Sequence, residues 1–286
     1  MSTEVKTFFD PTTFTLTYIV YDEASKDGVV IDPVLDYDPA ASKVEKHSLA
    51  KVVDFVKDQD LKIHYILDTH AHADHLTGAA ELKKAFPNAL IGIGEKIKLV
   101  QSKFSEIYNL KDFNINGVQF DRLYKDGEKF NAGSLEIEVI HTPGHTPACV
   151  SYHIDQNVFT GDALFMPDYG TGRCDFPMGS AKELYHSIHE KLYKLPDETN
   201  VYVGHDYQPN GRALEFKSTI KTNKEKNIHI KAQTTEAEFV EFREKRDATL
   251  SPPRLLLPSI QVNIDGGKLP IEEDNGKRYL KIPIGD

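Results

Sequence analysis

The sequence predicts a protein of the α/β class. Stretches with apolar residues at every second position, typical of strands, take turns with stretches whose apolar residues recur every three to four positions, typical of helices. This alternation runs through both halves of the 286-residue chain. It suits two sheets packed face to face with helices outside them, although periodicity alone predicts only the class.

The first half begins with a predicted strand at 14–22, in which apolar and polar side chains alternate, and its hairpin partner at 28–32, which Pro33 ends. Residues 42–57 repeat their valine and leucine side chains with a helical period. The other elements predicted here are strands at 63–67, 90–93 and 117–123, a helix at 76–86, and a helical or irregular stretch at 97–110.

The second half contains two predicted helices that start with a capping box, in which a Ser or Thr and a Glu three residues later satisfy the first free amides. They lie at 180–195, where Ser180 precedes Glu183, and at 235–245, where Thr235 precedes Glu238. The other elements predicted here are strands at 135–140, 150–154, 157–160 and 201–203 and a helix at 216–227.

The chain is expected to divide into a folded domain at 1–250 and an extended C-terminal tail at 251–286. Prolines and glycine pairs become frequent after Leu250 and break any long element. A short strand at 279–282 is the one element expected in the tail. Such a tail could pack on the domain or on a neighbouring subunit.

Composition limits the functional classes. The chain is 40% hydrophobic and 27% charged, which is typical of a globular protein, and its net charge of −10 argues against a nucleic-acid partner. No run approaches the roughly 18 apolar residues of a membrane span, so no membrane partner is expected. The first residues lack the apolar core of a secretory signal, and two cysteines form no disulfide framework. We therefore expect a cytoplasmic protein with reduced thiols.

Residues 69–75, Thr-His-Ala-His-Ala-Asp-His, concentrate metal-binding side chains directly after an apolar strand. Imidazole is the commonest metal ligand in proteins, and a carboxylate adds charge. In an extended backbone His70 and His72 project to the same side, and Asp74 and His75 can face the same point where the chain turns. The stretch predicts a metal site.

Three more strand ends each supply a His or an Asp, in the layout expected of an active site on a rigid scaffold. The candidate ligands of the whole chain are His70, His72, Asp74, His75, His145, Asp162 and His205. Nitrogen and carboxylate ligands suit zinc, iron or manganese. With no thiolate in the set, a structural zinc site built on cysteine is excluded.

The motifs THAHADH, HTPGHT, FTGDAL and GHDY, in this order, resemble those of the metallo-β-lactamase superfamily over nearly all of 13–215. Within it, the chain looks most like the persulfide dioxygenases (sulfur dioxygenases), with glyoxalase II as the nearest relative. This narrower resemblance depends on 69–77, 141–149 and 161–192. It implies a four-layer αββα sandwich, in which 1–250 would be the catalytic domain.

The resemblance also implies a metal. Persulfide dioxygenases bind one Fe(II) through the residues that match His70, His145 and Asp162, and two His with one carboxylate leave sites open for O₂ and substrate. The remaining candidates would then orient these ligands and hold water. In glyoxalase II the same set holds two metals bridged by the residue that matches Asp162, and zinc is the alternative to iron. Ligand types alone leave both arrangements open.

The implied activity is oxidation of a low-molecular-weight persulfide, such as glutathione persulfide, by O₂ and water to sulfite and the thiol, as in sulfide detoxification. The alternatives are a thioester hydrolase of the glyoxalase II type and a metal-dependent sensor without activity. Glyoxalase II grips glutathione with a basic helical end, whereas this chain ends in Pro- and Gly-broken segments, which favours the dioxygenase. A homo-oligomer, dimer or tetramer, is expected.

Three residues are candidates on the substrate side. Arg173 matches an arginine of the family and could pair with a carboxylate of glutathione or with Asp175. Tyr207 matches a tyrosine near the iron and could bond the substrate or serve in packing. Cys174 stands where many relatives have threonine and could relay sulfur, although a lone Cys is more often a small buried residue.

Overall fold

Two six-stranded sheets form the centre of the protein. A computed structural model describes residues 3–285, so the first two residues of the predicted domain and Asp286 of the predicted tail lie outside it. The strands are β1 (Thr3–Asp10), β2 (Thr15–Asp22), β3 (Asp27–Ile31), β4 (Val34–Leu35), β5 (Tyr37–Asp38), β6 (Lys43–Val44), β7 (Lys62–Leu67), β8 (Leu76–Thr77), β9 (Leu90–Gly94), β10 (Arg122–Tyr124), β11 (Lys129–Ala132), β12 (Leu135–His141), β13 (Val150–Ile154), β14 (Asn157–Phe159), β15 (Asn200–Tyr202) and β16 (Lys217–Thr219).

The first sheet has the order β1-β2-β3-β7-β9-β10 and the second the order β11-β12-β13-β14-β15-β16. In the first sheet β1, β2 and β3 pair antiparallel, and β3, β7, β9 and β10 pair parallel. In the second sheet only β14 and β15 pair parallel. Parallel strands end at the same edge, which brings the loops after them together.

Helices lie outside both sheets. They are α1 (His47–Asp58), α2 (Ala79–Ala85), α3 (Ile97–Ile107), α4 (Ala181–His186), α5 (Ile220–Lys226), α6 (Glu236–Asp247) and α7 (Leu256–Asn263). After α4 the chain continues through a π-helical turn (Ser187–Lys191) and a 3₁₀ turn (Leu192–Lys194). Another 3₁₀ turn lies at Pro209–Gly211. The α/β class and the four-layer sandwich are confirmed.

Strand periodicity places the core. Val29 and Ile31 of β3 pack between the two sheets, whereas Val30 faces the helices on the other side of its sheet. On α1, Leu49, Val52 and Val56 face the same outer core, at the spacing of one helix face. Burying each such side chain stabilises the fold by about 1.5–3 kcal/mol, so the alternation read from the sequence determines the layers.

The helix predicted at 76–86 is shorter in the structure. Leu76–Thr77 forms β8, which pairs with β4, and the helix begins at Ala79. The amide of Gly78 donates to the carbonyl of Pro33 at 2.7 Å. A hydrogen bond to a residue distant in the chain thus replaces the first helical turn that the sequence predicts.

Other predicted boundaries were also wrong, and some elements were missed. The helix predicted from residue 42 begins at His47, the strand predicted at 117–123 is limited to Arg122–Tyr124, the helix predicted at 216–227 starts with strand Lys217–Thr219, and β1 and β11 were not predicted. Both predicted N-caps are present: Ser180 accepts the Glu183 amide, and Thr235 forms a complete capping box with Glu238.

The C-terminal segment contains a helix that its prolines did not predict. Pro258 lies in the first turn of α7, where a missing amide hydrogen costs nothing because that hydrogen would have no helical partner. Ile260 and Val262 of this helix are fully buried. Beyond α7, residues 268–285 have neither helix nor strand, so the short strand expected at 279–282 is absent there. The boundary between 1–250 and 251–286 stays a prediction. Among residues 3–285, no helix has the length and apolar character needed to span a membrane.

Candidate metal centre

The predicted ligands converge at one edge of the sandwich. They lie in loops after strands: His70, His72, Asp74 and His75 after β7, His145 after β12, Asp162 after β14 and His205 after β15. Backbone bonds join the two sheets at this edge, because Leu16 donates to Gly204 at 2.9 Å and Asp206 donates to Phe14 at 3.1 Å. The rigid edge therefore positions all seven side chains.

His70, His145 and Asp162 form one group of possible metal ligands. Each offers a ligand atom within 4.8 Å of the other two, and all three side chains are buried. Nε2 of His145 lies 3.6 Å from Oδ2 of Asp162. Two imidazoles and a carboxylate on one side of a metal are the ligand set of non-haem iron sites, and zinc accepts the same types.

Hydrogen bonds determine which nitrogen of His70 faces the group. Thr69 Oγ1 donates its hydrogen to Oδ2 of Asp32 at 2.9 Å. The lone pairs of Thr69 Oγ1 therefore accept the proton on Nδ1 of His70, which lies 3.0 Å away. Nε2 of His70 then carries a lone pair. His145 behaves alike, because its Nδ1 donates to the carbonyl of Arg173 at 2.7 Å and leaves Nε2 to the group. Such outer contacts orient metal-binding imidazoles.

A second group of possible ligands lies next to the first and consists of His72, Asp74 and His75. The rings of His70 and His72 are 4.1 Å apart, between centroids. Nε2 of His205 lies 3.4 Å from Oδ2 of Asp74 and 3.3 Å from Oδ1 of Asp162. The seven residues therefore make one continuous cluster that could hold one metal or two.

Unpaired atoms in this cluster fit a metal. Within residues 3–285, four buried atoms of the cluster lack a hydrogen-bond partner: His70 Nε2, His72 Nδ1, His75 Nε2 and Asp162 Oδ1. Leaving one buried polar atom unpaired costs about 1–3 kcal/mol. Four such atoms side by side are explained by a cation that all of them can bind.

The charge states of His70 and His72 support this interpretation. Burial lowers the pKa of His70 and of His72 well below the usual value, so both stay neutral and keep a lone pair. Burial also opposes charging of His205, but the carboxylates of Asp162 and Asp74 outweigh it and raise its pKa. Neutral imidazole is the form that binds metals.

A cavity of about 640 Å³ opens onto His145 and Asp162. This volume suits a small-molecule ligand. Aromatic side chains form part of its wall, and Tyr207 stacks on His205 with ring centroids 5.5 Å apart. Tyr169 lies 4.8 Å from Tyr207, again between centroids.

The structure places Tyr207 and Arg173 at this cavity. Burial raises the pKa of the Tyr207 phenol, so it stays protonated and can donate. Arg173 forms a bidentate ion pair with Asp175, and its Nη1 donates to the carbonyl of Ser251 at 2.8 Å. Its role in holding the loop is therefore visible, and its role toward substrate stays a prediction.

Cys174 lies in the core, away from the cavity wall. Its side chain packs in the larger hydrophobic cluster, and its amide donates to Asp247 at 2.8 Å. Burial raises the pKa of its thiol, so no thiolate forms at neutral pH. The geometry fits the packing role that the sequence left open and gives no support to a sulfur relay.

Two residues that hold the ligand loop were not identified from the sequence. Asp32 accepts the Thr69 amide at 2.7 Å and Nε2 of His72 at 3.0 Å. It follows β3 at the ligand edge, so the strand-end position used to find the ligands could have revealed it. Asn263, on α7, donates to carbonyls of the same loop, and no pattern around it indicates this.

Comparison with known proteins agrees with this geometry. A model of the metallo-beta-lactamase superfamily matches residues 11–205. A Dictyostelium discoideum protein named Glyoxylase B2 is 50% identical over 93% of this chain and 91% of its own length. Mitochondrial persulfide dioxygenase ETHE1 of Homo sapiens is 35% identical over 71% of this chain and 68% of its own length.

A solved structure gives the same result. ETHE1 from Myxococcus xanthus superposes with a TM-score of 0.75 and 30% sequence identity, covering 93% of this chain and 100% of its own. Together with the family match over residues 11–205, this establishes ancestry and fold. The chain belongs to the metallo-beta-lactamase superfamily and is a relative of its persulfide dioxygenases.

Proposed function

We propose that the protein is a non-haem Fe(II)-dependent dioxygenase of low-molecular-weight persulfides, such as glutathione persulfide. In the overall reaction R–S–SH, O₂ and H₂O give R–SH, sulfite and two protons. The two sulfur atoms lose four electrons in total, one O₂ accepts them, and the S–S bond is broken. Bound Fe(II) would supply the redox chemistry that O₂ requires.

The observation that carries this proposal is the group of His70, His145 and Asp162 beside the cavity. Its ligand types match the facial triad of non-haem iron oxygenases, which leaves coordination sites open for substrate and O₂. The cavity reaches two of the three ligands, so a small substrate can approach them. The relatives named persulfide dioxygenase add support from ancestry.

Residues of the chain would position the substrate. The protonated phenol of Tyr207 can donate to a sulfur anion in the cavity, and the rings of Phe165 and Tyr169 exclude water from that end. Although the chain carries a net charge of −10, the cavity is also lined by arginines. Their charge suits a thiol carrier that bears carboxylates or phosphates.

A thioester hydrolase of the glyoxalase II type is the second candidate. The complete second group, His72, Asp74 and His75 with His205 beside it, could hold a second metal. The C-terminal region is also more helical than its prolines suggested, and Arg246 of α6 lines the cavity. The absence of a basic helical end is therefore a weaker argument against the hydrolase than the sequence suggested. The relative named Glyoxylase B2 also fits this candidate.

Metal analysis combined with turnover tests the choice. We expect anaerobically purified protein to contain about one iron per chain, to consume O₂ with glutathione persulfide or coenzyme A persulfide, and to leave glutathione thioesters intact, because three ligands suffice for one iron. Replacing His70, His145 or Asp162 by Ala should abolish iron binding and oxygen uptake.

His47→Gln is the matched control, since the His47 side chain is exposed and pairs with Glu45 rather than with a candidate ligand. It should keep iron and activity. Two zinc ions per chain with thioester turnover, or normal oxygen uptake with iron retained in any of the three Ala variants, would refute the dioxygenase assignment.

A further inference from the structure

Asn263 joins the C-terminal segment to the loop that carries four of the candidate ligands. Its Nδ2 donates to the carbonyl of His72 at 2.7 Å and to the carbonyl of His75 at 2.8 Å. Its Oδ1 accepts the amide hydrogen of Thr77 at 2.8 Å. The side chain thus uses both donors and its acceptor on one stretch of backbone.

The ligand loop requires such a contact. Residues 68–75 lie between β7 and β8 with no helix or strand, and most of them are buried. Buried carbonyl and amide groups outside regular structure must find other partners. Asp32 holds the start of the loop through the amide of Thr69, and Asn263 holds its end. An amide side chain is suited to this end because it can donate twice and accept at once.

The helix that carries Asn263 is itself firmly placed. Tyr108 donates to the carbonyl of Leu257 at 2.9 Å, and Gln101 donates to the carbonyl of Ile264 at 2.9 Å, so both ends of α7 are tied to α3 or to the residue that follows it. Gly267, just after α7, packs so closely against Thr77 at the end of the ligand loop that a Cβ on it would lie 3.1 Å from the carbonyl oxygen of Thr77. Asn263 is 2% exposed and reaches the loop from a rigid support.

We propose that Asn263 is a positioning residue of the metal centre. By fixing the carbonyls of His72 and His75 it determines where the loop directs its imidazoles, and it makes α7 a functional part of a centre whose ligands all precede residue 206. The inference rests on the metal site of the proposed function, but it applies to one metal or two and to either reaction.

Cobalt binding tests this role without any turnover. We expect Asn263→Ala to lower the affinity for Co(II), measured by competition with a chelator, by about 10- to 100-fold, as for other residues that orient metal ligands. The visible absorption spectrum of the Co(II) protein should also change, because it reports ligand geometry. Gln261→Ala is the matched control: Gln261 lies on the same helix, but its amide donates to the carbonyls of Leu257 and Lys281. It should retain wild-type affinity and spectrum.

Asn263→Asp resolves the case in which the Ala variant does not fold. It has nearly the same shape and still accepts from Thr77, but it cannot donate to His72 and His75. Circular dichroism establishes folding. A folded Asp variant with weaker Co(II) binding supports the proposal, whereas folded variants with wild-type affinity and spectrum overturn it.

Two further outcomes are decisive. Unfolding of both Asn263 variants, with Gln261→Ala folded, would also overturn the proposal, since Asn263 would then determine the fold rather than the loop. If the Asn263 variants bind Co(II) more weakly but the wild-type protein consumes no oxygen, the positioning role of Asn263 is supported and the dioxygenase assignment is refuted.

Discussion

Three imidazoles of the cluster, those of His70, His72 and His145, are each held by the protein through one ring nitrogen. The other ring nitrogen of each is left for the neighbouring ligands. His145 is held by a backbone carbonyl, His72 by a carboxylate, and His70 by a hydroxyl that donates to the same carboxylate. That carboxylate belongs to Asp32, whose backbone adopts a positive φ of 50° directly after β3. A non-glycine residue in this conformation is uncommon and often serves a functional site.

Asp32→Asn should weaken metal binding by about 10- to 100-fold. If the new NH₂ group takes the place of Oδ2, Thr69 can no longer donate there and would donate to Nδ1 of His70, which moves the ring proton to Nε2. If it takes the place of Oδ1, it faces the hydrogens of the Thr69 amide and of His72. Chelator competition with zinc measures the loss.

Asp38→Asn is the control for this change, because Asp38 accepts the amide hydrogens of Ala40 and Ala41 in an exposed turn and bonds none of the candidate ligands. It should bind zinc like the wild type. An Asp32→Asn protein that also binds zinc normally would contradict the role given to this carboxylate.

At this scale the sequence predicts ligands better than their supports. The seven candidate ligands were found because His and Asp are concentrated at strand ends, and the structure brings all seven together. Asn263 was missed because it is 186 residues from Thr77 along the chain. A contact between residues so far apart has no local pattern. Cys174 has no local signal either, since a buried thiol and a reactive one look the same in a sequence.

At the scale of elements, helix α6 and the segment after it give the cavity its positive charge. Arg243 is buried and paired with Asp247, with Nη2 2.7 Å from Oδ1. Arg246 and Arg254 also line the cavity but are exposed, and within residues 3–285 neither forms an ion pair. These two charges are therefore available to an anionic part of the substrate.

Arg246→Gln combined with Arg254→Gln should raise KM for glutathione persulfide about 5-fold, the effect expected from one or two exposed ion pairs. The turnover number should stay within about 2-fold, because neither side chain contacts the metal ligands. Added salt should raise KM in the wild type and have less effect on the double variant, since salt screens exposed charges. Steady-state oxygen uptake measures both parameters.

Two controls separate charge recognition from a general loss of fit. The diethyl ester of glutathione persulfide lacks the carboxylates and should have the same KM with both proteins. Arg122→Gln removes an exposed arginine that pairs with Glu128 outside the cavity, and it should behave like the wild type. An unchanged KM in the double variant would show that these arginines do not recognise the substrate.

Elements with a strong local pattern were predicted, and elements formed by distant contacts were not. The strand β2 was found from the alternation of its apolar and polar side chains, β3 as its hairpin partner, and β7 from its apolar run. The helix α6 was found through its capping box. The helix α7 was missed because Pro258 was interpreted as a breaker, although it occupies the first turn. Strand β8 has two residues, and its pairing with β4 has no signal in either sequence segment.

At the scale of the whole molecule, three regions distant in the chain complete one site. The first sheet supplies the ligand loop, the second supplies His145, Asp162 and His205, and α7 holds the loop from outside the segment that matches the family. The predicted division at residue 250 stays a prediction, and the hydrogen bonds of Asn263 cross it. The homo-oligomer expected from the sequence stays a prediction.

Two truncations test this integration. Removing 251–286 deletes α7, exposes the apolar surface that Ile260, Val262 and Ile264 cover, and leaves the carbonyls of the ligand loop unpaired. We expect this protein to lose metal binding and at least several kcal/mol of stability, because burial of each of these side chains contributes about 1.5–3 kcal/mol.

Removing 271–286 deletes mainly exposed residues. The truncated protein should retain metal binding with only a small decrease in melting temperature, since the bonds it loses, from Lys281 to Gln261 and Asn109, lie at the surface. Thermal unfolding and zinc titration of both proteins provide the measurement. Full metal binding by the protein that lacks 251–286 would show that the ligand loop holds its shape without α7.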